Sequence, residues 1–310
     1  MTATLQAKRK RVIIPSLTAI CCILVLPLML FLNGGMKAGA ARGLDLCLKT
    51  IIPTLFPFFI LSDLWAVYVS ASETNPICRF YEKLFGVSGA TLPAYILGTI
   101  CGFPLGIRTA TRLYVDGVIT KNELQRLSGF ANNPSAAFVI SGIGAGLYGD
   151  TGLGVLLYFC TVLSSILVGI CFRQKETISE NKGYISRQSF NLVNSIRSAG
   201  YSSLVACSYI IFFSAIIGIV SGITKNAIVV AITSSLMEIT NAASLCANLA
   251  ESNRLKYIIT AFSLGFSGMS VHFQSFAILP LEISRTRYIY MKLFQGAACA
   301  LIFYLLSFFI

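Results

Sequence analysis

Gly102-Phe103-Pro104-Leu105-Gly106 and Gly265-Phe266-Ser267-Gly268 interrupt apolar segments at corresponding places in the two parts of a 310-residue chain. Glycine and proline end helices and leave backbone N–H and C=O groups without partners. In a bilayer such groups persist only where protein or a water-filled cavity satisfies them. Paired interruptions of this kind point to a midplane binding site in a repeat-built membrane protein.

The surrounding composition fits that setting. The chain is 55% hydrophobic and only 12% charged, where a soluble domain carries about 25% charged residues. Long apolar runs recur along it, so the expected fold is all-α: a polytopic helical membrane bundle. The net charge of +12 does not indicate nucleic acid, because the basic residues sit in short loops between spans. Most of the ten cysteines lie inside apolar runs without a CxxC pair, and read as buried free thiols. No Walker loop, G-x-S-x-G or H-E-x-x-H occurs. No enzyme activity, cofactor or metal site is expected.

Lys8-Arg9-Lys10-Arg11 precedes an apolar run at 12–32, which exceeds a signal-peptide core of about 7–15 residues and reads as a retained first span. Residues 34–49 read as an interfacial amphipathic connector and 51–69 as a second span bent near Pro53 and Pro57. Thr120 with Glu123 forms a capping-box pattern, predicting a helix from about Lys121 to Leu147. Further spans are expected at 152–172, 199–220 and 227–249, and Ser284 as the cap of a last helix. The polar stretch near 173–198 is a cytoplasmic linker between two membrane halves, 1–172 and 199–310. Each half contains a glycine-broken segment. If both segments dip in and return as re-entrant hairpins, one side carries 20 of the 24 basic residues, which the positive-inside rule favours. The chain is then a multi-pass plasma-membrane protein with a cytoplasmic N-terminus. Both hairpins on one face conflict with an inverted repeat, so the relation of the halves stays open.

Several polar residues stand out against the apolar background. Asp63 and Glu238 each sit in the span before a broken segment. A carboxylate in hydrocarbon costs roughly 2.5–3.5 kcal/mol on insertion scales and is normally aimed at a partner or cavity. Two readings stand: coupling to H⁺ or Na⁺, or a structural polar contact. Arg108 and Arg112 share a helix face and suit either an anionic solute or lipid headgroups. Asn132-Asn133-Pro134 places amides beside a locally broken helix, suited to a polar ligand or to helix contacts. His272, the single histidine, and Gln274 follow the second break and suit solute binding, proton relay or core packing.

Pro53-Thr54-Leu55-Phe56-Pro57-Phe58-Phe59-Ile60, the two broken stretches, Phe130-Ala131-Asn132-Asn133-Pro134, Glu238-Ile239-Thr240-Asn241 and Gly268-Met269-Ser270-Val271-His272-Phe273-Gln274 resemble, in order, motifs of the sporulation integral membrane proteins that carry a nucleoside-recognition (Gate) domain. The likeness covers about residues 40–300. It departs at Ser267, where glycine is expected, and in a shorter central linker. It implies a plasma-membrane protein of spore-forming bacteria and kinship with nucleoside transporters. Gly102, Phe103, Pro104, Gly106, Asn132, Asn133, Gly265, Phe266, Ser267, Gly268, His272 and Gln274 become the candidate solute site. The expected role is a secondary transporter of a small polar or nucleoside-like solute, coupled to H⁺ or Na⁺. The alternative is a non-transport component of spore-envelope assembly, with spore-assembly proteins or a second copy as partners. In both cases the lipid bilayer is a partner and nucleic acid is not.

Overall fold

A computed structural model describes residues 33–68, 76–174, 191–250 and 252–308, without the side chains of 62–68 and 253. The expected first span at 12–32 and most of the 173–198 linker lie outside the described residues. The described chain is all-helical. Four helices are long and apolar enough to cross a membrane: Asn33–Leu61, Thr151–Cys171, Leu192–Ile223 and Arg285–Leu306. This is a multi-pass membrane protein.

The first of these corrects the expected interfacial connector at 34–49. Helix α1 (Asn33–Leu46) runs through a wide turn (Cys47–Ile51) into α2 (Ile52–Tyr68). Its glycines explain the difference. Gly35, Gly39 and Gly43 lie on the backbone or side chains of Ser214 and Gly218 in α9 (Leu192–Ile223), with no room for a Cβ. Small residues at this spacing let two helix backbones approach closely in lipid. A short amphipathic helix, α3 (Pro76–Phe85), follows.

The glycine break at 101–104 then turns the chain back on itself. Helices α4 (Leu92–Ile100) and α5 (Leu105–Val115) pack together, with Gly98 against Gly106 and both over the Ala131 carbonyl. Thr120 and Glu123 form the expected capping box of α6 (Lys121–Phe130). The predicted continuous helix to Leu147 is not observed. The chain opens at 131–135 and resumes as α7 (Ala137–Tyr148), a wide helix with i→i+5 bonding. Pro134 has no N–H to donate, and Ser135 caps the new start by accepting from Phe138 N at 3.2 Å. Helices α6 and α7 run together antiparallel to α8 (Thr151–Cys171): Arg126 binds the Phe172 carbonyl at one end, and Gly144 meets Gly154 at the other.

The predicted single span at 227–249 is two helices, α10 (Ala227–Met237) and α11 (Ile239–Ala247). Glu238 is extended (φ −155°, ψ 126°) and caps α11. Ala231 and Cys246 share one cluster, so these helices fold back on each other. The second glycine break behaves differently from the first. Ser267 and Gly268 take φ of 75° and 69° between α12 (Asn253–Phe266) and α13 (Gly268–Ile278). Along α14 (Arg285–Leu306), Arg254 reaches the Ser307 carbonyl, Gly265 lies on Gly296, and His272 lies on Tyr288. Segment 253–278 therefore runs the length of α14 and does not return. Residues 250–256 and 282–292, expected on one side, lie at opposite ends of the bundle.

Those ends are tied by polar contacts. At the first, Arg126 donates to the Phe85, Gly86 and Phe172 carbonyls, Gln125 exchanges two hydrogen bonds with Ser284, and Tyr114 donates to Glu282 at 2.7 Å. At the second, Tyr148 meets Thr260 at 2.6 Å and Tyr257 edge-on. The α4/α5 hairpin opens toward the first end and the α10/α11 hairpin toward the second.

Candidate functional site

Four interruptions of helical hydrogen bonding meet in the middle of the bundle. Two are hairpin tips, at Gly102–Pro104 and Glu238. Two are broken helices, at 131–135 and Ser267–Gly268. Each tip sits on the break that follows it. Phe103 N donates to the Asn133 carbonyl at 2.9 Å, and Asn133 N donates to the Gly98 carbonyl at 3.2 Å. Gly268 lies against the backbone of Met237 and Glu238, close enough that a Cβ would crowd it. In the first pair the freed backbone groups are thus satisfied by one another, as a low-dielectric interior requires.

Between them is a cavity lined by Phe103, Ser135, Phe138, Glu238, Ile239, Thr240, Ser270, Val271 and Gln274, with Ile51, Leu55, Ala206 and Ile210 across from them. Its volume is about 30 Å³. That admits water or a monovalent cation, whereas pockets for drug-sized ligands enclose roughly 300–1,000 Å³. A larger solute requires the tips to part.

Glu238 is the one acidic residue on this wall and is 4% exposed. Its carboxylate accepts from Thr240 N at 2.9 Å, Asn241 N at 2.7 Å and Asn241 Nδ2 at 2.8 Å. Asn241 Nδ2 also reaches Ser214 Oγ at 2.6 Å. The acid therefore closes the N-terminus of α11 while standing at the cavity. A carboxylate so placed can hold a proton or a cation as well as cap a helix.

Behind the cavity lies a second polar cluster. Asn132 Nδ2 donates to Ser275 Oγ at 3.0 Å and Tyr288 Oη at 3.1 Å, and His272 Nδ1 lies 3.2 Å from the same phenol. Lys292, fully buried, donates to the Asn132 carbonyl at 2.9 Å and Gln295 Oε1 at 2.6 Å. Asn132 Oδ1 and His272 Nε2 are buried without a partner.

Among the residues singled out from sequence, Phe103, Glu238 and Gln274 line the cavity. Asn132, Asn133 and His272 stand behind it; Gly102 packs on Ser135, Gly106 on Gly98, and Gly265 on α14. Ser267 and Gly268 shape the second break, and Phe266 stacks edge-on against His272. Pro104 and Arg108 line a separate cleft with Phe59 and Ser198. Arg112 is exposed and pairs with Asp116 at 3.7 Å. The side chain of Asp63 lies outside the described residues. Ser135, Thr240, Ser270, Tyr288, Lys292 and Gln295 were not anticipated. Lys292 carried a usable signal, because a lysine inside an apolar helix is a functional candidate by default. Among the described residues no group of three metal-ligating side chains occurs.

The chain is 26% identical to the sporulation integral membrane protein YlbJ of Bacillus subtilis (strain 168), across 308 aligned positions covering 85% of this chain and 76% of that protein. The chain is a relative of a sporulation membrane protein. The likeness to sporulation membrane proteins read from the ordered motifs is borne out by this match. No family profile and no solved structure matches the chain.

Proposed function

We propose that this chain is a secondary transporter of a small polar or nucleoside-like solute, coupled to H⁺ or Na⁺ at Glu238, in the membrane of a sporulating cell. The observation that carries this is the convergence of two hairpin tips and two broken helices on one cavity with a buried carboxylate in its wall. Broken helices facing a central cavity are the usual architecture of solute and ion sites in carriers. The order hairpin then broken helix occurs twice, and the hairpins open toward opposite ends. An inverted repeat with one re-entrant hairpin per face accounts for that arrangement. It also removes the conflict that arises when both glycine breaks are treated as hairpins.

The charge distribution supports an orientation. Arg79, Lys83, Arg112, Lys121, Arg173, Arg285 and Arg287 gather at the first end; Lys37, Lys225, Arg254 and Lys256 are at the second. The first end then faces the cytoplasm. Proteoliposome uptake of labelled nucleosides and other small polar solutes, with and without an imposed proton or sodium gradient, tests the proposal. Gradient-dependent uptake of at least one solute is expected; none across a broad panel overturns it.

The same small cavity favours a second reading, a non-transport component of spore-envelope assembly. In that case Glu238→Gln leaves sporulation intact while substitutions on lipid-facing surfaces impair it.

A further inference from the structure

Lys292 is out of place for a lysine in a membrane helix. It is fully buried. Among the described residues the ion pairs are Lys49–Asp45 and Arg112–Asp116, and none of their carboxylates neutralises it. Its two partners are neutral oxygens.

Hydrogen-bond direction fixes that environment. The Phe130 carbonyl can only accept, so the group of Asn133 that meets it at 2.8 Å is the amide nitrogen. Asn133 Oδ1 then faces the other way and accepts from Gln295 Nε2 at 2.7 Å. Gln295 is left presenting its oxygen to Lys292 at 2.6 Å. The second oxygen, the Asn132 carbonyl, is freed by the break at 131–135 and takes Lys292 at 2.9 Å. The chain has thus oriented one amide oxygen and one main-chain carbonyl toward Lys292 Nζ, oxygens of the kind by which unwound helices hold a monovalent cation.

We infer that the Lys292 ammonium is a tethered cation that closes the first helix break, so that no diffusible ion is bound there. Glu238, at the opposite tip, has no such tether. The inference about the ammonium holds whether or not the cavity carries a solute. Only its consequence for coupling, that an ion acts at Glu238 alone, rests on the transporter reading.

The test uses the full chain in lipid nanodiscs and reads thermal unfolding, which is independent of transport. In a Glu238→Gln background, which removes the other ion candidate, the protein should melt at the same temperature in sodium chloride, potassium chloride and choline chloride. Lys292→Met keeps the volume but not the charge, and should melt roughly 5–10 °C lower, from two lost charge-assisted bonds. Lys292→Ala should fall at least as far and be restored by methylammonium or ethylammonium, but not by ethanol or tetramethylammonium. A merely space-filling lysine would not give that selectivity. If Lys292→Ala does not fold, the Met variant and the Glu238→Gln salt series still decide. Stabilisation of the Glu238→Gln protein by sodium over choline, a Met variant as stable as wild type, or rescue of the Ala variant by ethanol would each overturn the inference. Absence of solute uptake would count against the transporter and leave these melting results untouched.

Discussion

Glu238→Gln separates the two jobs of that carboxylate. The wild-type group accepts three hydrogen bonds, one at Oε1 from Thr240 N and two at Oε2 from Asn241. A glutamine has one oxygen. Placed where Oε2 stands, it keeps both Asn241 bonds and turns its NH₂ toward the Thr240 N–H. One buried donor is then unpaired, which costs about 1–3 kcal/mol. Burying a neutral amide is less costly than burying a charge, which offsets part of that. The variant should therefore fold, with a loss of about 1–3 kcal/mol, or roughly 2–4 °C of melting temperature per kcal/mol. The amide cannot exchange a proton and offers a cation only a neutral oxygen. Gradient-driven uptake should vanish while solute exchange across liposomes with no gradient persists. The assay pairs nanodisc melting with both transport modes. Full gradient-driven uptake in a folded E238Q variant would refute the coupling role and leave Glu238 as a helix cap.

Other consequences can be checked separately. Gly98→Val places side chain into the Ala131 carbonyl and the Gly106 backbone, and should cost about 1–3 kcal/mol by overpacking, read as a lower melting temperature and folded yield. Asn133→Ala and Gln295→Ala remove the two ends of one 2.7 Å bond; their double-mutant cycle should return a coupling of about 0.6–1.7 kcal/mol, and additivity would deny that the pair locks the first break. Thr120→Ala removes both the Glu123 N contact and the hydroxyl bond of the capping box and should lower stability by about 0.5–2 kcal/mol. Asp116→Cys and Lys225→Cys should react with an impermeant maleimide from opposite sides of sealed vesicles; labelling from one side would contradict the placement of the two hairpin bases.

Much of the fold was legible because the signals are local. Apolar runs longer than a bilayer is thick gave α8 and α14, and the Thr120–Glu123 and Ser284 caps fell where their side chains accept from the helix start. Two kinds of information were not local. Gly35, Gly39 and Gly43 diluted the hydrophobicity of α1, and only α9, far along the chain, shows that their role is close approach. Glu238 was legible as a costly buried acid but not as a chain reversal, because nothing beside it in sequence is glycine or proline. A carboxylate that caps the following helix ends the preceding one just as effectively.

That last point explains why the glycine breaks were matched to each other and why the match does not describe their geometry. Backbone continuity is lost at four places by four chemistries. Glycine and proline turn the first hairpin; an acid turns the second. Paired asparagines and a proline open one long helix, while left-handed Ser267 and Gly268 open the other. The residue types differ at the four places, whereas their order is shared: tip, then broken helix, twice. Each tip is held by the break that follows it, through Phe103 and Asn133 on one side and Glu238 and Gly268 on the other. In a transporter this coupling has a consequence. Parting one tip exposes the freed backbone of its own half alone, so the cavity can open toward one end while the other half keeps its groups satisfied. Two hairpins opening from opposite ends then supply two gates, and the cost of unpaired backbone in lipid keeps both from opening together.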